Sequence, residues 1–458
     1  MQFVSSTTGR LAYVVSCMLI TVFSFAQVNS PFSRYGIGNL VGSQHTVSRG
    51  MGGLQAAYAD GLTGNIGQSI NFNNPASYGN LFNLVTYDLG LLIDSRNLKS
   101  ANPAGSFSSI YFIPAYAAVA MPLSKSKGLG FAFGLKPISR INYSVTSNTR
   151  VAGDSVGTSY NGTGGLNQAF IGIGKRWKKF NIGFNTGYTF GRRETNTQTT
   201  FLNDTVSYHQ SNQSVKTNYG KMFLQAGLQY EFDVAKKEDK IAKTSELYSV
   251  RLGAVASFQQ NLSATQNREK YTFGYLSSGA IIGIDTVESV DNVKGSVVIP
   301  ATYEAGASLQ KRIGTTAGVF ELWSVGLEYT TTQWTRYRFY NQPDALNNSW
   351  MLKLGAQISP NPIASNNYLR SINYRIGFNY GQDYINADGK GLKVFAVSLG
   401  AGLPIRKWRA YETQYTTMQT ALQIGKRGSA SNNITETYIQ FSVGFSLSDI
   451  WFIKRRYD

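Results

Sequence analysis

In Ile439-Gln440-Phe441-Ser442-Val443-Gly444-Phe445-Ser446-Leu447, five large apolar residues alternate strictly with four small or polar ones. A period of two belongs to a strand, whose successive side chains point to opposite faces. A face this apolar calls for lipid, where a backbone is satisfied only as a helix or a closed barrel. Outward from this stretch the pattern recurs. Val85, Tyr87, Leu89, Leu91 and Ile93 share a face, as do Leu129, Phe131, Phe133 and Leu135, and then Met222, Leu224, Ala226, Leu228, Tyr230 and Phe232. Such runs start near residues 81, 108, 128, 160, 179, 217, 247, 293, 321, 347, 370, 390, 412 and 435. They predict an all-β fold: a transmembrane antiparallel β-barrel of about 14 strands, an even number as in single-chain bacterial barrels. Between 263 and 292 the pattern leaves two options, and the run 271–275 reads as strand extension or as loop.

Composition agrees. The chain has 47 Gly, 28 Tyr and 26 Phe with 15% charged residues, where an average soluble domain has about 25%. Residues 1–26 read as a secretory signal peptide: Arg10 supplies the positive start, 11–25 is almost continuously apolar, and Ser24-Phe25-Ala26 suits cleavage before Gln27. Cys17, the single cysteine, would suit lipid attachment, but the apolar run before it is short and continues past it. No later run reaches the ~18–20 apolar residues of a membrane helix, which excludes a helical inner-membrane protein.

Connection lengths predict the orientation. With both termini periplasmic, the longest connections (146–159, 195–216 and 260–292) face outward, and short ones such as 124–127 and 176–179 face the periplasm. The net charge of +18 gathers at the short connections and the C-terminus: Lys125, Lys127, Lys175, Arg176, Lys178, Lys179, Lys236, Lys237, Lys240, Lys243, Lys311, Arg406, Lys407, Arg409, Lys454, Arg455 and Arg456. A basic rim against anionic headgroups accounts for this. Nucleic-acid binding does not, because it needs one interleaved basic and aromatic surface. The expected location is the outer membrane of a Gram-negative cell.

Residues 27–80 do not alternate. They hold Arg49-Gly50-Met51-Gly52-Gly53 and Asn71-Phe72-Asn73-Asn74-Pro75-Ala76, dense in residues of tight turns. A luminal plug is expected there, followed by the barrel over 81–448 and a periplasmic tail over 449–458. With Asn74-Pro75-Ala76, Gly134-Leu135-Lys136-Pro137, Ile299-Pro300-Ala301, Asn348-Ser349-Trp350 and the terminal Asp449-Ile450-Trp451-Phe452-Ile453-Lys454, the chain resembles the long-chain fatty acid transporter (FadL) family, in particular its Bacteroidota branch. The resemblance implies a 14-stranded barrel, an N-terminal hatch and passage of a hydrophobic small molecule, such as a fatty acid, to a lateral opening. It equally covers relatives that do not transport and instead dock in an outer-membrane secretion or assembly complex, as in type IX secretion. The C-terminus departs from the family by running past the last strand to Asp458.

Candidate sites follow. Arg49, Gly52, Asn74 and Pro75 belong to the hatch: Asn74-Pro75 as an anchoring turn or a moving segment, Arg49 as a charge needing a carboxylate, several carbonyls or an acidic ligand. Pro114 and Pro137 fall inside strands, where a missing N–H interrupts a ladder. A hairpin turning near Lys125 sets 114 against about 136, so either a pair of bulges near the rim or a lateral gate is expected there. No cofactor is called for. With only His45 and His209, no cluster at metal-ligand spacing and Gly172-Ile173-Gly174 explained as inward strand positions, no catalytic residue is assigned.

Overall fold

The structure, a computed structural model, describes residues 30–449 except 43, 60–67, 82–83, 125, 152, 203–208, 240–243, 277, 279–280, 316–317, 361–366, 388, 406–413 and 430. Cys17, the segment 1–26, the tail from 450 and the basic residues Lys125, Lys240, Lys243, Arg406, Lys407, Arg409, Lys454, Arg455 and Arg456 lie outside the described residues. The strands in chain order are β1 (Asn39–Leu40), β2 (Val85–Ser100), β3 (Gly105–Ser124), β4 (Leu129–Val151), β5 (Asp154–Trp177), β6 (Phe180–Phe201), β7 (Gln210–Asp239), β8 (Thr244–Ser257), β9 (Gln260–Tyr275), β10 (Ile281–Ile299), β11 (Thr302–Thr315), β12 (Gly318–Thr332), β13 (Arg338–Phe339), β14 (Ser349–Ile358), β15 (Asn373–Ala387), β16 (Lys390–Pro404), β17 (Tyr415–Arg427) and β18 (Ile434–Asp449).

Neighbouring strands pair antiparallel around a closed ring, sealed where β18 meets β2 from Asp449↔Val85 to Ile434↔Ser100. The wall has 14 positions. β8 and β9 share one, since β7 pairs with β9 from Gln210 to Gly220 and with β8 from Gln225 to Asp239. β10 and β11 share the next, broken at Pro300, which has no N–H for a ladder. Alternation has the predicted cause: Leu89, Ile93, Phe133, Leu135, Ile439 and Phe441 are exposed on the outer face, whereas Gln440, Ser442 and Ser446 are buried on the inner one.

The long connections at 146–159, 195–216 and 260–292 are corrected. β4 and β5 pair without a gap from Ser139↔Leu166 to Val151↔Asp154, β6 and β7 pair up to Thr199↔Ser211, and β9 and β10 pair up to Tyr275↔Ile281. Most described residues of these stretches are strand, so of the two options for 271–275 extension is the observed one. Their Thr, Ser and Asn content hid them: a ladder needs only backbone hydrogen bonds, so pairing continues where apolar alternation stops. One flank, β4–β7 with β9 and β10, thus stands well above the rest. We call its rim the far rim, opposite the side where β2 begins and β18 ends.

Inside the ring lies the segment before β2, whose described residues 30–59 and 68–81 are almost all buried. It carries 3-10 helices Pro31–Arg34 and Pro75–Asn80 and one α-helical turn, α1 (Thr46–Gly50). Its contacts reach wall strands on opposite sides of the barrel.

Candidate functional site

Two features stand out: the fit between the enclosed segment and the wall, and a break in the wall itself. Glycines make the fit possible. A Cβ on inward-facing Gly172, Gly174 or Gly183 would run into Tyr78, Pro75 or Asn185, so these strands form a bare floor for helix Pro75–Asn80. Asn74 caps that helix, its Oδ1 accepting from Ala76 N at 3.0 Å and its Nδ2 donating to Ala56 O at 2.6 Å. Pro75 occupies the first helical position, where its missing N–H costs nothing. Across the lumen Gly52 has φ +68°, and an added Cβ would sit 2.7 Å from Leu354 O and 2.8 Å from Phe378 O. Its own N–H donates to Ser398 Oγ at 2.9 Å.

Charge fixes the segment further. Glu328 accepts from Gln55 N at 2.7 Å and Ala56 N at 2.6 Å, and Lys353 Nζ lies 2.7 Å from its other oxygen. Glu304 takes Gln55 Nε2 at 2.8 Å. Glu231 joins Arg251 and Arg312, each at 2.6 Å, and Arg251 donates onward to Ala59 O. His45 caps α1: its Nδ1 accepts from Val47 N at 3.0 Å while Nε2 meets Asp88 Oδ2 at 2.6 Å, so both ring nitrogens are engaged. His209 is exposed. Among the described residues Arg49 meets no carboxylate directly. It donates to Gly42 O at 2.7 Å and Gln440 Oε1 at 2.8 Å, its buried Nε has no hydrogen-bond partner among the described residues, and the residue lines a cavity of about 200 Å³. Burial lowers the guanidinium's pKa, and Asp94 opposes the shift. A second cavity of about 420 Å³ is lined by Lys136, Glu304 and Lys353 beside Leu40, Trp334 and Trp350. Among the described residues no three His, Cys, Asp or Glu side chains converge on a metal position.

The wall breaks between β3 and β4. Their ladder runs from Ser124↔Leu129 to Ala117↔Leu135 and stops, although both strands continue past it. The ladder ends before it could pair Pro114 with 136; on its other edge Pro114 pairs with Leu91 of β2, beside a register shift at Gly90/Leu91, and Pro137 pairs with Asn167 of β5 beside a shift at Pro137/Ser139. Both prolines therefore sit at bulges, and the bulges turn the strands apart where the ladder ends. A cleft of about 1330 Å³ opens there, lined among others by Leu89, Leu91, Ile113, Pro114, Leu135 and Pro137. The enclosed segment reaches the upper lip, where β1 pairs with Ser139 and Arg140 and Ser30 N donates to Asn142 O.

Sequence alone brought Arg49, Gly52, Asn74 and Pro75 into one segment and Pro114 and Pro137 to one seam. It missed Asp88, Glu231, Arg251, Glu304, Glu328 and Lys353. The available signal was charge on the inward phase of otherwise apolar strands, as in Leu352-Lys353-Leu354.

Solved structures with this fold include the P. putida toluene transporter TodX (TM-score 0.53, 13% identity, 90% of this chain and 99% of that one). A Pseudomonas aeruginosa FadL homologue matches with TM-score 0.51 at 11% identity over 91% of this chain and all of that one. The CymD monoaromatic hydrocarbon channel matches with TM-score 0.50 at 13% identity, covering 90% and 98%. No curated protein sequence matches the chain. The BamG family profile matches residues 10–458, nearly the full length, and the chain belongs to the BamG family.

Proposed function

We propose that this outer-membrane barrel passes a hydrophobic small molecule, a fatty acid or a compound of similar apolarity, between its lumen and the bilayer through the β3–β4 seam. The observation that carries this is the ladder ending at Ala117↔Leu135 with apolar residues on both lips. Unpaired backbone at bilayer depth costs several kcal/mol per group, and a passage lined by a ligand or by the enclosed segment reduces that cost. In this account residues 27–80 are a hatch, Asn74-Pro75 anchors it, Gly52 seats it, and Arg49 faces the polar end of the ligand. The signal peptide 1–26 is removed, both termini are periplasmic and the far rim is extracellular. The toluene transporter TodX and the monoaromatic hydrocarbon channel CymD support a small apolar cargo as a precedent on the same fold.

The test is Pro114→Val with Pro137→Val, which restores both N–H groups. The double variant should stay folded by heat-modifiable mobility and take up a fluorescent fatty acid several-fold more slowly. Unchanged uptake by the folded variant would sink the lateral route.

One observation favours a second role, docking in an outer-membrane complex: the tall flank presents sheet to solvent on both faces, beyond anything lipid can cover. Purification in mild detergent separates the two. Bound lipid without a protein partner supports passage, and a stoichiometric partner supports docking.

A further inference from the structure

The top of the tall flank is a hairpin of β9 and β10, turning between Tyr275 and Ile281. Tyr303, exposed near the far-rim end of β11, is the last outward aromatic before Pro300, and β10 continues for 19 residues beyond that proline, from Ile299 back to Ile281. At ~3.3 Å per residue and a tilt of ~40°, the tip stands tens of ångströms clear of the bilayer. Yet it is apolar. Tyr275 is 56% exposed, Ile282 47%, Ile284 48% and Val287 60%. Lipid cannot cover these groups at that height, and no described residue of the chain does.

The outer strand of the hairpin also has an unusual charge. From Ile281 to Val293, β10 carries Asp285, Glu288 and Asp291 and no cation, in a chain of net +18. None of the three is in an ion pair among the described residues; Glu288 stands across the ladder from Lys270, and Asp285 across from Thr272. On its second side β10 pairs with β13 at Val297 and Val298 and takes Tyr340 at Ser296 and Val293, and among the described residues no strand pairs with the edge above. Three register shifts, at Gly283/Asp285, Thr286/Glu288 and Val290/Val293, kink that edge. Bulges of this kind block strand-to-strand addition and present side chains instead. Acidic groups also repel anionic lipid headgroups.

We propose that the β9–β10 tip is a docking surface for a partner protein that presents an apolar pocket rimmed by Lys or Arg. Ile284 and Val287 fill the pocket while Asp285, Glu288 and Asp291 meet the rim. This deepens the docking role and does not depend on the seam.

A photo-crosslinking residue in place of Val287, in full-length protein in living cells, should give one protein adduct, mapped beside Lys or Arg of the partner. Asp285→Lys with Glu288→Lys and Asp291→Lys should reduce the adduct roughly tenfold or more. In solubilised membranes it should weaken as salt rises from about 50 to about 500 mM. Because the tip pairs only with itself and β7, heat-modifiable mobility of each variant confirms that the barrel stays folded. An adduct to lipid, an adduct to a second copy, no adduct, or one indifferent to charge reversal would each overturn the proposal. Fatty-acid uptake should be unchanged in all tip variants, so failure of this surface and failure of the seam are told apart.

Discussion

Gly52 shows how one residue can fix a whole segment. Its positive φ costs any other residue about 1–2 kcal/mol, and a Cβ would meet two wall carbonyls closer than 3 Å. Gly52→Ala should therefore loosen the enclosed segment without disturbing the wall, seen as faster proteolysis within residues 30–80 and an unchanged heat-modifiable barrel. Lys353 is the complementary case. Lys353→Met leaves Glu304 and Glu328 facing each other without a cation, and breaking a buried pair in this way costs about 3–5 kcal/mol. Adding Glu304→Gln should recover much of that loss, measured as the denaturation midpoint in detergent. Gly52 was visible in the sequence as part of a glycine-rich turn, but the carbonyls that require it lie on strands some 300 residues away in sequence. Proximity of that kind has no periodic signature.

Strands were legible where lipid shaped them. Expected starts at 179, 390 and 435 fall within a residue of β6, β16 and β18, whereas those at 160, 217 and 293 came 6, 7 and 12 residues late. All three late starts belong to the tall flank, where water bathes the extensions and apolar alternation no longer marks the ladder. Orientation can be tested on the same elements. A single cysteine at Asn148, high on β4, should react with an impermeant maleimide on intact cells, and one at Lys179, in the β5–β6 turn, should not. The reverse result would invert the proposed topology.

For the molecule as a whole, wall and enclosed segment are coupled through polar side chains as well as through shared apolar clusters. Deleting residues 30–80 removes the partners of Asp88, Lys136, Glu304 and Glu328 while leaving every wall strand in place. The truncated protein should insert, conduct ions in planar bilayers better than the full chain, and melt at a lower temperature. Failure to insert would show that the segment is needed to build the wall. The basic connections act at the same scale, since each Lys near an anionic leaflet contributes about 1 kcal/mol of attraction. Replacing Lys175, Arg176, Lys178 and Lys179 by Gln should weaken retention on phosphatidylglycerol vesicles without altering the fold.

A barrel under lateral pressure behaves as a hoop, and a hoop yields at its thinnest joint. Seven residue pairs tie β3 to β4, while twenty-two tie β4 to β5. Stretching or thinning the bilayer loads every joint around the circumference, and this one has the fewest rungs to share the load. Its aperture should follow membrane tension, wider in thin bilayers and narrower in thick ones, so that the physical state of the lipid itself sets how far the wall stands open.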